Sequence, residues 1–82
     1  MWKEGNFEIE NNSFQYKVKI MPANYNGGLH GGRVVKLTIL HNTENERKLI
    51  FDPIAHYDDG WNVKPRNSIG KKALEYVLGL FE

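Results

Sequence analysis

The stretch Phe14-Gln15-Tyr16-Lys17-Val18-Lys19-Ile20 alternates apolar and polar side chains without a break. Successive side chains of a strand point to opposite faces, so this period specifies a β-strand with one buried and one wet face. Such a strand constrains everything around it. Its backbone needs neighbouring strands, and its apolar face needs a second layer. Upstream, Phe7-Glu8-Ile9-Glu10 alternates in the same way, and Asn11-Asn12 separates the two runs. Asparagine tolerates φ > 0, as a two-residue hairpin turn requires. With Asn11-Asn12 as the turn, Ile9 faces Phe14 and Phe7 faces Tyr16. Glu8 then meets Gln15 and Glu4 meets Lys19 on the other face.

Pro22 to Gly32 reads as a loop rich in glycine and asparagine, with Leu29 and Tyr25 as its only anchors. Arg33 to Leu40 reads as a third strand, with Val35, Leu37 and Ile39 on one face and Val34, Lys36, Thr38 and Leu40 on the other. After a polar turn, Arg47 to Asp52 reads as a fourth strand. Pairing Leu37 with Phe51 sets Ile39 against Leu49 and Lys36 beside Asp52. Pro53 cannot donate to a ladder and ends that strand. Asp59-Gly60 is a turn signal, and Trp61-Asn62-Val63 offers a possible short fifth strand.

Ser68 to Phe81 is a helix. Ile69, Ala73, Tyr76, Val77 and Leu80 recur at helical spacing, and Leu74, Leu78 and Phe81 widen the stripe. Asn67 or Ser68 can cap it. Gly70 and Gly79 each weaken it by about 1 kcal/mol, so it must lean on the sheet. Strands first and a helix last predict an α+β fold: an antiparallel four-stranded meander, with a possible short fifth strand, and one C-terminal helix packed on one face. The 82 residues make a single domain, 1–82.

Net charge is +1, which gives no global pull toward nucleic acid or membrane. The chain has no cysteine, which removes a disulfide scaffold, a thiolate zinc site and a cysteine nucleophile. Small secreted domains tend to be disulfide-dense, so the expected setting is the cytoplasm. The N-terminal residues have no apolar signal core. No run approaches the ~20 apolar residues that span a bilayer.

The candidate chemistry is sparse. Asn26-Gly27-Gly28-Leu29-His30-Gly31-Gly32-Arg33 suggests a phosphate loop, but a strand follows it where the nucleotide motifs need a helix. His30, His41, His56, Asp52, Asp58 and Asp59 lack metal-ligand spacing. Asp58 and Asp59, adjacent in a turn, need not face one substrate atom. No catalytic group, metal or cofactor is expected. The one feature that folding alone leaves unexplained is the basic helix start. Arg66, Lys71 and Lys72 crowd a turn where the helix dipole already presents positive charge. With Ser68, Gly70, Lys64 and Trp61 they form a candidate site for an anion or a partner. Trp61 beside Lys64 and Arg66 has the composition of a base-stacking patch, although such a tryptophan more often caps a small core.

Trp2-Lys3-Glu4-Gly5, Tyr16-Lys17-Val18-Lys19, Gly31-Gly32-Arg33-Val34-Val35-Lys36-Leu37, Tyr57-Asp58-Asp59-Gly60-Trp61 and an apolar C-terminal helix follow one another in this order. This pattern resembles a family of short uncharacterised proteins of Firmicutes and their phages. There the segment before the helix reads Tyr-Asp-Arg-Gly-Trp-Asp. Here Asp59 and Asn62 stand in place of that Arg and the final Asp, so no role of theirs carries over. The resemblance implies a phage or mobile-element origin and no particular activity. The expected function is a small non-catalytic interaction module, phage- or prophage-related, acting by protein contact as a monomer or homodimer. The alternative is a nucleic-acid or anion binder built on the basic helix start. An enzyme using His56, Asp58 and Asp59 ranks below both.

Overall fold

The computed structural model describes residues 1–24, 26–42 and 53–81. Its elements follow as β1 (Trp2–Ile9), β2 (Asn12–Ile20), a 3-10 turn (Leu29–Gly31), β3 (Val34–His41), β4 (Ala55–Asp58), β5 (Trp61–Val63) and α1 (Ser68–Phe81). The strands form one five-stranded sheet in the order β1-β2-β3-β4-β5, each pair antiparallel. The fold is therefore α+β, with the short fifth strand formed.

The first hairpin turns one residue earlier than Asn11-Asn12 implies, which shifts every cross-strand partner by two. Glu10 and Asn11 are the turn, at φ 50° and 66°. Positive φ at both central residues is what a type I′ turn needs. The Asn12 side-chain amide donates to the Glu10 carbonyl (3.1 Å), which ties the turn from below. Ile9 thus pairs with Asn12, Phe7 with Phe14, Gly5 with Tyr16 and Glu4 with Lys17. The displacement of two keeps every side chain on its expected face, because the strand period is also two. It also stacks Phe7 on Phe14, with ring centroids 5.3 Å apart.

The expected strand Arg47–Asp52 lies outside the described residues. The side of β3 it was to occupy belongs to β4: Leu37 pairs with Tyr57, Ile39 with Ala55, and Lys36 with Asp58. Ala55 and Tyr57 alternate as Leu49 and Phe51 do, so the pattern by itself did not choose between the two segments. Between Lys19 and Ile20 the β2–β3 register slips, and Ile20 meets Val34 rather than Val35. This irregularity turns Val34 into the core, against its expected outward face, and leaves Val35 buried too.

Phe7, Phe14, Val18, Ile20, Val34, Leu37, Ile39 and Ala55 line the core face of the sheet, and Ala73, Val77 and Leu78 of α1 close it. The helix has the predicted bounds. Asn67 caps it, its Oδ1 accepting the Gly70 N–H at 2.8 Å. A Cβ on Gly70 would sit 3.1 Å from Ile54 Cγ2 and 3.3 Å from Pro65 Cβ, so the glycine lets the helix approach closely. The glycine loop is tied at both ends. Met21 N–H donates to the Arg33 carbonyl and Arg33 Nε donates to the Met21 carbonyl, both at 2.9 Å. Leu29 is fully buried, and the Tyr57 hydroxyl donates to the Gly27 carbonyl. Leu29 is thus the anchor the sequence suggested, while Tyr25 lies outside the described residues.

Candidate functional site

The basic helix start is dispersed in the structure. Gly70 is buried, and its N–H is taken by the Asn67 cap. The Lys71 N–H closes the first helical turn onto the Asn67 carbonyl (3.1 Å). Lys72 Nζ reaches the Glu10 carboxylate at the hairpin tip (2.6 Å). Both groups are more than half exposed, so this pair adds little stability and mainly fixes direction. Lys64, Arg66, Ser68 and Lys71 are exposed. Trp61 is half-buried against the core, edge-on to Tyr57 at 5.3 Å. It packs as a core cap.

Arg66 borders a cavity. A cleft of about 460 Å³ opens between the helix start and the ends of β2 and β3. Phe14, Ile54, Val63 and Ile69 give it apolar walls, and Asn12, His41, Arg66 and Asn67 give it polar ones. His41 enters only through tertiary structure: it ends β3, far in sequence from the helix, and its ring lies 5.2 Å from that of Phe14. Among the described residues no group of His, Asp or Glu is placed to hold a metal ion. No helix among them is long and apolar enough to cross a membrane.

The sheet face away from α1 is polar. Lys17 lies over the Trp2 ring at 5.1 Å. Lys36 and Asp58, cross-strand partners, form an ion pair. The hydrogen bond from Lys36 holds the Asp58 carboxyl below its ordinary range and raises the Lys36 ammonium above its own. The folded Asp58 therefore binds its proton less readily than the unfolded one. Its stabilisation is present above about pH 3.9 and is lost as pH falls through the lower folded value. The Lys36 contribution is complete below about pH 10.4 and is lost as pH rises beyond the folded value. Asp58→Asn should flatten the acid limb of a urea-midpoint profile against pH. An acid limb of unchanged steepness would show that the pair does not couple to folding.

Among the described residues, the most distinctive surface is the outer edge of β1, which no other strand of the sheet pairs. Met1 N–H groups and carbonyl bond to Ile20, and the Glu10-Asn11 turn closes on Ile9 and Asn12. An antiparallel ladder alternates, so odd residues of β1 bond to β2, and Trp2, Glu4, Asn6 and Glu8 aim their N–H and C=O groups outward. Four large apolar side chains are exposed among the described residues: Met1, Trp2, Tyr76 and Leu80. Two are at the start of β1. The other two belong to the helix stripe Lys72-Tyr76-Leu80, whose first two members contact the β1–β2 hairpin. Lys72 bonds Glu10 just past the end of β1, and Tyr76 stacks on Phe7 at 4.5 Å. Sequence reading assigned Tyr76 and Leu80 to the core because helical periodicity does not mark where a sheet ends.

The model of a domain of unknown function, DUF7678, matches residues 1–82, and the chain belongs to that family. Comparison with curated proteins and with solved structures returned no match.

Proposed function

We propose that this member of an uncharacterised domain family is a small non-catalytic interaction module that works by protein contact, taking an extended segment of a partner onto the outer edge of β1. The exposed apolar side chains Met1 and Trp2 at the start of β1, and exposed Tyr76 stacked on Phe7 of β1, support this reading. Strand addition satisfies the outward backbone groups and covers flanking apolar surface in one step. A cytoplasmic setting and a phage or prophage origin belong to the same reading, and rest on the absence of cysteine and on the sequence resemblance.

The test is selection of peptides from a random library, followed by Asn6→Pro. The Asn6 N–H points outward, so proline there removes a donor to the partner and none to β2. Selected peptides should bind the parent and lose at least tenfold affinity for a folded Asn6→Pro variant. Equal binding to both, or no binder at all, would remove the reading.

A second reading rests on the cleft, where Arg66 and His41 share one opening with an apolar wall. This combination suits an anion, including a nucleic-acid phosphate with a stacked base. Binding of a short single-stranded oligonucleotide should weaken as salt rises and should be lost in Arg66→Glu. Wild-type protein that binds no oligonucleotide at low salt would eliminate it.

A further inference from the structure

Two rows of side chains border the β1 edge, and they differ in chemistry. On the open sheet face stand Glu4 and Glu8, four residues apart, with Asn6 between them and Trp2 at the end. On the helix side the exposed ring of Tyr76, stacked on Phe7, flanks the strand, with exposed Lys3 at its start. Residues directly opposite in an antiparallel pair share a face, so each row meets alternate residues of an incoming strand. We infer that the edge selects an extended segment of alternating basic and apolar residues, with two Lys or Arg four positions apart. This inference rests on the strand-addition reading above.

The strand already paired with β1 shows the same chemistry at Glu4, while Glu8 meets Ser13. On the open face β2 sets Lys17 opposite Glu4 and Lys19 opposite Trp2, while Phe14, Tyr16 and Val18 face the helix. Lys17 also lies over the Trp2 ring. The outer side of β1 offers a second basic strand the same carboxylate row. A second copy of β1 fits less well. Only even residues face outward, so two-fold pairing must match even with even. Every such register that pairs four or more residues sets Glu4 or Glu8 opposite or diagonal to its own kind, which is unfavourable.

The probe is the peptide acetyl-TKVQVKT-amide, with acetyl-TEVQVET-amide as its counterpart, titrated at low salt into the ¹⁵N-labelled chain. The basic peptide should bind saturably, at least tenfold tighter than the acidic one, and should protect the amides of Trp2, Glu4, Asn6 and Glu8 from exchange. Glu4→Lys/Glu8→Lys, at two exposed positions, should invert that preference. Equal or tighter binding of the acidic peptide at those amides would overturn the inferred charge rule and leave the edge reading intact. Protection by neither peptide would overturn the inference as well, and the library selection would then decide the edge reading by itself.

Discussion

Phe14→Ala should cost about 3–5 kcal/mol of unfolding free energy. At roughly 0.05–0.15 kcal/mol per residue, a chain of 82 residues has about 4–12 kcal/mol in total. The loss is therefore a large share of the whole, and a variant substantially unfolded at 37 °C is the expected result. Phe14 is 1% exposed. It lies on β2, between β1 and β3, stacked on Phe7 and tilted against His41. Removing its ring opens a void that neighbours on three elements cannot close together. Urea unfolding followed by tryptophan fluorescence measures the loss. Phe14→Leu, which keeps most of the volume, should cost less than half as much. A loss below 1 kcal/mol for Phe14→Ala would mean that the core is not centred on this ring.

That core was legible because alternation in Phe14–Ile20 and periodicity in Ser68–Phe81 are strong one-dimensional signals of which face is buried. Register was less legible. Glu10-Asn11 and Asn11-Asn12 both make acceptable turns on paper, and a displacement of two leaves every face unchanged. The choice lies in cross-strand contacts, Phe7 on Phe14 and Gly5 under Tyr16, that no local pattern contains. The neighbour of β3 was misassigned for a related reason, since Ala55–Asp58 competes with an equally alternating segment. The candidate site was least legible. A run of cations at a helix start is visible in sequence, but not that Lys72 swings to Glu10 or that the Gly70 N–H is taken by its own cap. The β1 edge required knowing that β1 is outermost in the described sheet and that Tyr76 lies on Phe7 beside it.

Gly5 is where the edge strand and the core constrain each other most tightly, and Gly5→Val should destabilise the domain by about 3 kcal/mol. A Cβ at this position would lie 2.8 Å from the Tyr16 hydroxyl and 2.9 Å from two carbons of its ring. Tyr16 is the cross-strand partner of Gly5. Its ring covers the bare backbone and is held by Phe81, edge-on at 5.8 Å, and by Phe7 at 6.1 Å. A side chain on Gly5 must push the ring out and so loosen the end of α1 from the sheet. Glycine otherwise weakens a strand by roughly 0.5–1 kcal/mol relative to alanine. The two effects therefore have opposite signs, and a double-mutant cycle separates them. Gly5→Ala should destabilise the parent by about 1 kcal/mol, yet be neutral or mildly stabilising when Tyr16→Ala has already removed the ring. The resulting coupling of at least about 1 kcal/mol is the size expected for residues in direct contact. Additive effects would mean that the ring does not restrict position 5. The glycine's role would then lie in the outer edge of β1, and peptide binding rather than stability would register its loss.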